Sequence, residues 1–214
     1  MSTEVNNALQ VLINGGIILY PTDTIWGIGC DATNEKALAK IFKLKKRADS
    51  KSLISLVADK KQLKKITGYI PSLDITSSPT TIIYPFAVGL SKKLVASNGS
   101  AAIRIVQDDF CQQLIKKFGK AIVSTSANIS GAASPKKFSE ISEEIKKNVD
   151  YIVNLRHDEL MIAPSAILII NEDGSINPQG VDYSKIVPFL IKAIQELKAD
   201  NDSLKARIET LENN

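Results

Sequence analysis

The chain has 214 residues, enough to bury a sizeable core, and its 44% hydrophobic and 23% charged residues are typical of a globular protein. No apolar run approaches the roughly 20 residues that span a bilayer, and the N-terminus lacks the basic start and apolar stretch of an export signal. The formal net charge of +4 is compatible with a polyanionic ligand such as ATP or tRNA. We therefore expect a cytoplasmic protein whose two cysteines, Cys30 and Cys111, are buried reduced thiols without metal-ligand spacing.

Hydrophobic periodicity predicts strands and helices that alternate irregularly. In chain order, the predicted elements are a strand at 17–20, a helix over 34–47, a strand at 53–57, a short helix from 59, a loop at 68–79, strands at 80–84 and 101–106, a helix over 108–118, a strand at 121–123, a helix over 139–148, strands at 151–153 and 166–170, and a turn at 171–174. Because strict alternation of strand and helix is missing, the pattern favours a mixed sheet with helices packed against it.

The last part of the chain has a different pattern. Apolar residues recur there at alternating spacings of three and four, which defines a heptad register through Val187, Leu190, Ile194, Leu197, Asn201, Leu204, Ile208 and Leu211. We predict a domain at 1–180 followed by a C-terminal helix at 181–214 that forms a homo-oligomeric coiled coil. Asn201 at an a position favours a dimer, and a trimer stays open. The alternative is a helix whose first half packs on its own domain and whose end frays.

A polar motif follows the first predicted strand. Pro21 ends the apolar run because proline cannot donate to a sheet ladder, and Thr22, Asp23 and Thr24 come next. Two glycines, at 27 and 29, then allow the backbone to approach a neighbouring group closely. A strand that ends in small hydroxyls and glycine is typical of a ligand site in α/β proteins.

Lys45 and Arg47 end the first long predicted helix, where basic residues suit the negative end of the helix dipole. Lys45, however, lies between Ile41 and Phe42 on the apolar face, so it must snorkel to solvent or meet an anion. A compact ammonium and a bidentate guanidinium are well suited to phosphate oxygens. The pair therefore indicates a phosphate site.

Arg104 lies inside the apolar strand at 101–106 and points to the same side as Ala102 and Val106. A buried arginine must be paired, either with a ligand carboxylate or in a structural salt bridge. Ser124, Ser126 and Asn128 follow another buried strand, where their polar groups suit ribose or phosphate oxygens. Ordinary turn chemistry is the alternative for these three residues.

The order and spacing of Pro-Thr-Asp-Thr at 21–24, Lys45 with Arg47, and Ser126 with Asn128 resemble the YrdC/TsaC family. Members of that family are threonylcarbamoyl-AMP synthases, which begin threonylcarbamoyladenosine modification of tRNA. The likeness runs from about 15 to about 180. It implies a twisted α/β sheet with helices around a large concave cavity.

The resemblance also implies roles for individual residues. Lys45 and Arg47 would be catalytic through the ATP phosphates, and the implied ATP-binding residues are Lys45, Arg47, Lys51, Ser100, Ser126, Asn128 and Ser134. The implied threonine-binding residues are Thr24, Arg104, Ser124 and Ser165. The implied reaction joins L-threonine, bicarbonate and ATP into threonylcarbamoyl-AMP and pyrophosphate, with Mg²⁺ carried on the phosphates.

Such a reaction needs no protein nucleophile, and it places the protein before downstream threonylcarbamoyl-transfer proteins, with weak tRNA binding as a further expectation. His157, the only histidine, is predicted to lie in an exposed loop among charged residues, so a Ser-His triad is not expected. No Cys/His cluster has the spacing of a zinc site.

The sequence departs from the family pattern at several places. Trp26 replaces a tyrosine, the segment 47–52 lacks the family's prolines, the segment 67–80 is short, and Gln179 stands where the family usually has a nucleotide-binding arginine. Two alternatives to the synthase therefore stay open. One is a paralogue that binds RNA or a nucleotide without synthase activity, and the other is a structural oligomer organised by the coiled coil.

Overall fold

The structure, a computed structural model, describes residues 1–46, 53–162, 164–171, 175–178, 198 and 201. The helices are α1 Ser2–Ile13, α2 Glu35–Leu44, α3 Lys60–Thr67, α4 Asp109–Phe118 and α5 Glu143–Lys147, with 3-10 turns at Lys92–Leu94 and Phe138–Glu140. The strands are β1 Ile18–Tyr20, β2 Gly27–Gly29, β3 Ile54–Val57, β4 Thr80–Tyr84, β5 Ala101–Ile105, β6 Ile122–Ser126, β7 Tyr151–Ile152, β8 Ala166–Ile170 and β9 Ile176–Pro178.

The described strands form a single sheet in the order β7-β1-β2-β6-β3-β5-β4-β8-β9. The pairs β1–β7, β3–β5 and β4–β8 are parallel, whereas β1–β2, β2–β6, β3–β6 and β4–β5 are antiparallel. The predicted mixed α/β sheet is therefore confirmed. The helices and the strands β1–β8 lie in one compact unit, Met1–Asn177.

Helices cover both faces of the sheet and bury two apolar clusters. Helices α1 and α4 share one cluster with residues such as Leu56 and Ile122 of the sheet. Helices α2 and α3 bury their apolar residues in the other cluster, together with Val57 and Ile103. Because side chains alternate along a strand, neighbouring residues such as Leu56 and Val57 contribute to opposite layers. Among the described residues, no helix is long and apolar enough to cross a membrane.

Side-chain caps explain why three of the helices begin where they do. Asn34, Asp59 and Asp108 accept hydrogen bonds from main-chain amides in the first turns of α2, α3 and α4, respectively. Gly68 and Gly119 end α3 and α4 with φ of 81° and 74°, a backbone conformation that favours glycine. These local signals account for the agreement between the predicted and the observed helices.

Several elements differ from the predictions. Helix α1 and strands β2 and β9 were not predicted, although α1 buries Val5, Ala8 and Leu12 at helical spacing. Strand β6 continues to Ser126, so the serine and threonine side chains at 124–126 belong to the sheet rather than to a loop. The predicted helix at 139–148 is divided into a 3-10 turn and the short α5, which Ser142 caps.

The predicted coiled-coil helix at 181–214 lies outside the described residues, apart from Lys198 and Asn201, which are helical and exposed. The coiled coil and the division at 180/181 therefore stay predictions. The concave cavity that the family resemblance implies also stays a prediction.

Candidate functional site

The Pro-Thr-Asp-Thr segment connects β1 to β2 and lies at the edge where β2 meets the end of β6. Gly27 of β2 is the register partner of Ser126. A Cβ at Gly29 would lie 2.4 Å from the Val123 carbonyl oxygen, and one at Gly27 would lie 3.0 Å from Ser124 Oγ. Glycine is needed here because the two strands are packed too closely for side chains.

Thr22, Thr24 and Arg104 form a buried hydrogen-bond chain. Arg104 Nη1 donates to Thr24 Oγ1 over 3.1 Å, and the two threonine hydroxyls lie 2.9 Å apart. Thr22 Oγ1 donates to the Ile25 carbonyl and accepts from the main-chain amides of Thr24 and Ile25.

Asp23 completes this group. Its Oδ1 lies 3.1 Å from Arg104 Nη2 in an ion pair without hydrogen-bond geometry, and its Oδ2 accepts from the Gln107 amide. Both side chains of the pair are buried, and Arg104 Nε has no hydrogen-bond partner in the described part of the chain. The salt bridge that sequence analysis considered for Arg104 is therefore present, yet it leaves one buried donor unsatisfied.

Lys45 is held by the loop that follows β6. Its side chain is 1% exposed, and Nζ donates to the Ser126 carbonyl, to the Asn128 carbonyl over 2.6 Å and to Asn128 Oδ1 over 3.2 Å. The Lys45 carbonyl in turn accepts from the Ser130 amide. Sequence analysis expected solvent or an anion around this ammonium, whereas the structure surrounds it with carbonyl dipoles.

The Ser126–Asn128 loop bonds to the start of β2 as well as to Lys45. The Ala127 amide donates to the carbonyl of Trp26, two residues beyond the first motif, over 2.9 Å. Ser126 Oγ donates to Asn128 Oδ1, and Asn128 Nδ2 donates to the Ala132 carbonyl. Lys45 and this loop, which are far apart in the sequence, therefore meet next to the segment that follows the first motif.

Strand register brings Arg104, Ser124 and Ser165 to one sheet face. Leu56 pairs with Arg104 on one side and with Ile122 on the other, and Ser124 follows Ile122 by two residues. Extended by one residue, the β4–β5 register puts Thr81 opposite Arg104. Thr81 Oγ1 lies 2.8 Å from Ser165 Oγ. The predicted threonine-binding residues are these three, Arg104, Ser124 and Ser165, together with Thr24.

The other predicted site residues do not take part in the contacts described above. Ser100 donates through its amide and Oγ to Asn98 Oδ1, and Ser134 is exposed. Arg47, Lys51 and Gln179 lie outside the described residues.

Sequence analysis missed Arg156, whose φ is 57°. Its Nη1 donates to the Thr22 carbonyl over 3.0 Å and to Asp108 Oδ2 over 2.6 Å, and it forms a bidentate pair with Glu159. Hydrogen bonds from Arg156 lower the pKa of the Glu159 carboxyl. Arg156 thus fastens the first motif to the start of α4. The sequence carried no signal for this role, because Thr22 and Asp108 are distant from Arg156 in the chain.

The prediction of an exposed loop around His157 was wrong for the histidine itself. Its ring stacks on Phe138 with centroids 3.9 Å apart and packs at 5.5 Å against buried Trp26. Trp26, which departs from the family pattern, is accommodated in this aromatic cluster. Its Nε1 has no hydrogen-bond partner among the described residues.

A mixed sheet with helices on both faces defines an α/β protein. Residues 10–176 match the Sua5/YciO/YrdC family model, which carries the description "Telomere recombination". The chain therefore belongs to the Sua5/YciO/YrdC family.

Proteins called threonylcarbamoyl-AMP synthase are among its curated relatives. That of Idiomarina loihiensis is 33% identical over 158 residues, which are 69% of this chain and 83% of the relative. That of Psychromonas ingrahamii is 33% identical over 154 residues, which are 68% and 81% of the two chains.

Solved structures show the same fold. P. abyssi Sua5 complexed with L-threonine superimposes with a TM-score of 0.70 at 23% identity and covers 78% of this chain. This chain spans about half of that Sua5 chain, 51% of its length. E. coli YciO superimposes with a TM-score of 0.70 at 19% identity, covering 83% of this chain and 88% of its own.

Proposed function

We propose that this protein is a threonylcarbamoyl-AMP synthase that acts in the first step of tRNA threonylcarbamoyladenosine modification. The observation that supports the proposal is the contact of Lys45 with the Ser126–Asn128 loop, which also bonds to the Trp26 carbonyl just after the first motif. Relatives that share 33% of the aligned residues over more than four-fifths of their length bear this name. They favour the synthase over a non-catalytic paralogue.

The threonine substrate would bind at Thr24, Arg104, Ser124 and Ser165. A carboxylate suits Arg104, whose buried Nε lacks a partner in the described structure. The Thr24 hydroxyl, which accepts from Arg104, would form a hydrogen bond with a polar group of the same substrate. Asp23 would keep the Arg104 guanidinium oriented and charged while the site is empty.

ATP would bind on the side of Lys45 and the Ser126–Asn128 loop. The proposed contacts are Lys45, Arg47, Lys51, Ser100, Ser126, Asn128 and Ser134. All three ammonium protons of Lys45 have acceptors in the loop, so its charge would act on the phosphates mainly through a preorganised field. Any direct phosphate contact would replace the longest of these bonds, the one to Asn128 Oδ1.

The proposed chemistry is carbamate formation followed by adenylyl transfer. The threonine amine bonds to the carbon of bicarbonate with loss of water, and a carbamate oxygen then attacks the α-phosphorus of ATP. The bond from that phosphorus to the bridging oxygen breaks, and pyrophosphate leaves. Mg²⁺ would arrive with the ATP phosphates. The protein contributes positioning and charge stabilisation, which makes it a nucleotidyltransferase without a covalent intermediate.

Release of pyrophosphate from ATP, with bicarbonate and Mg²⁺ and with or without L-threonine, tests the proposal. We expect threonine-dependent release that is lost in Arg47→Ala and Lys45→Ala. Thr24→Val should raise the KM for threonine about 5-fold, since one hydrogen bond contributes about 1 kcal/mol, and should leave the KM for ATP unchanged. A folded, ATP-binding protein without threonine-dependent release would support the paralogue instead.

The heptad pattern of 181–214 supports a homo-oligomer that forms through a C-terminal coiled coil, with the domain of 1–180 carrying the activity. Cytoplasmic location and transfer of the product to downstream threonylcarbamoyl-transfer proteins complete the proposal. Activity that survives truncation at Gly180 would assign the tail an accessory role.

A further inference from the structure

Tyr20 is the last residue of β1, and its side chain is completely buried although the proposed reaction gives it no role. The strand order β1-β2-β6 places β2 between Tyr20 and β6. The phenol ring nevertheless reaches β6, where its hydroxyl donates to the Val123 carbonyl over 3.0 Å. Tyr20 therefore connects three neighbouring strands on one face of the sheet.

The two glycines of β2 leave the space that the phenol ring occupies. Tyr20 is the register partner of Gly27, so its ring extends over β2. A Cβ at Gly29 would lie 2.7 Å from Tyr20 Cε1 and 3.1 Å from the Tyr20 hydroxyl oxygen, and one at Gly27 would lie 3.6 Å from Cε1. Because close-packed atoms do not approach to 2.7 Å, a side chain at position 29 would displace the ring.

The Ser124 hydroxyl lies beside the Tyr20 hydroxyl. The Cβ position of Gly27 is 3.0 Å from Ser124 Oγ as well as 3.6 Å from the phenol ring, so both side chains lie above this glycine. Burial raises the pKa of the Tyr20 hydroxyl well above its ordinary value, and a hydrogen bond with the Ser124 side chain offsets part of this rise. Tyr20 therefore keeps its proton at neutral pH.

The direction of the bond between Tyr20 and Ser124 follows from the number of protons. A tyrosine hydroxyl has one proton and a carbonyl oxygen has none, so the Tyr20 proton lies in the bond to Val123. The bond between the two hydroxyls must then use the serine proton. The Ser124 oxygen keeps lone pairs for a ligand on the sheet face that also carries Arg104.

We propose that Tyr20 is a positioning residue that makes Ser124 a hydrogen-bond acceptor for the threonine substrate. This role rests on the proposed function, which assigns Ser124 to threonine binding. An acceptor at this position binds an N–H or O–H group of the amino acid, whereas Arg104 binds its carboxylate. Tyr20 is buried and acts on the substrate only through Ser124.

A double-mutant cycle on threonine binding tests this role. Tyr20→Phe keeps the ring and removes the hydroxyl, Ser124→Ala removes the acceptor, and a third variant combines the two substitutions. Tyr151→Phe is the matched control, because it removes a tyrosine hydroxyl that donates to Glu4 from the outer strand β7. Titration calorimetry measures the Kd for L-threonine, and melting temperatures show whether each variant is folded.

We expect Tyr20→Phe to raise the Kd about 5-fold, which corresponds to one hydrogen bond. In the Ser124→Ala background the same substitution should change the Kd less than about 1.5-fold, since the group that Tyr20 positions is absent. Tyr151→Phe should leave the Kd unchanged. An equal effect of Tyr20→Phe in both backgrounds would overturn the proposal.

Ser124→Ala by itself should also weaken threonine binding about 5-fold. An unchanged Kd in that variant would overturn the proposal even if Tyr20→Phe did not fold.

The binding assay also separates the role of Tyr20 from the synthase activity. Coupled effects of the two substitutions on threonine binding, without threonine-dependent pyrophosphate release, would refute the synthase and leave the role of Tyr20 standing. Pyrophosphate release by the native protein with independent effects of the two substitutions would do the reverse. A native protein that does not bind L-threonine would overturn both.

Discussion

At the scale of single residues, two arginines hold the first motif. Arg104 donates to the Thr24 hydroxyl and pairs with Asp23, whereas Arg156 donates to the Thr22 carbonyl. The two arginines thereby position the segment 22–24, whose Thr24 is a proposed threonine-binding residue. Arg104 is a proposed ligand residue, and Arg156 is a positioning residue because it reaches the motif only through the main chain.

Arg156→Met is expected to raise the KM for threonine by about 3-fold to 10-fold, because one main-chain hydrogen bond to the Thr22 carbonyl is lost. The KM for ATP should stay near its native value. Glu159→Gln is the matched control, since it weakens the other side of the same guanidinium and leaves the Thr22 contact in place. Steady-state pyrophosphate release at varied threonine measures both. Equal effects of the two variants would contradict a positioning role.

At the scale of elements, Lys45 joins the end of α2 to the loop that follows β6. Its side chain makes three contacts with Ser126 and Asn128, and its carbonyl makes a fourth with Ser130. A lysine at this position is therefore part of the framework as well as a candidate phosphate ligand. If a Lys45 variant is inactive, displacement of the loop therefore has to be distinguished from loss of a phosphate ligand.

Lys45→Met keeps the aliphatic volume and removes the three donors. We expect the free energy of unfolding to fall by about 2–3 kcal/mol, since two main-chain carbonyls lose their partner in a largely buried site. Lys46→Met is the control in the neighbouring position, where the exposed ammonium pairs with the carboxylate of Glu144, and it should change stability by less than about 1 kcal/mol. Urea denaturation measures both. Similar values for the two variants would argue against a framework role for Lys45.

At the scale of the whole molecule, the two apolar clusters each contain a buried thiol. Cys30 lies in one cluster and Cys111 in the other. Burial raises the pKa of both thiols above the ordinary range, and the Asp31 carboxylate adds to the effect at Cys30. Such thiols stay protonated and unreactive in the folded protein.

These shifts predict how stability depends on pH. Because both folded-state pKa values are raised, the contribution is fully present below the unfolded thiol pKa of about 8.5 and decreases as pH rises above it. The free energy of unfolding should fall by about 1 kcal/mol per pH unit for each thiol between about pH 9 and about pH 10.

Urea denaturation at several pH values checks this slope, and Cys111→Ala should make it shallower by about 1 kcal/mol per pH unit. An unchanged slope in that variant would show that other groups govern alkaline unfolding.

The helices illustrate which parts of the fold can be predicted from sequence. Asn34, Asp59 and Asp108 cap helices through bonds to amides two or three residues away, so short-range chemistry is enough to predict where those helices begin. Helix α1 has an equally local apolar pattern, with Val5, Ala8 and Leu12 at helical spacing, although it was not predicted. The length of β6 was missed for another reason. Its serines and threonine favour turns on their own, and only pairing with β2 and β3 extends the strand.

Residue type and short-range periodicity were enough to predict the mixed α/β class and the apolar surroundings of Lys45 and Arg104, because each is a local property of the sequence. What those two side chains contact follows only from the tertiary structure. Arg104 reaches Thr24 across 80 positions, and Lys45 reaches Asn128 across 83. Such contacts follow from the order and register of the strands, which non-local pairing determines.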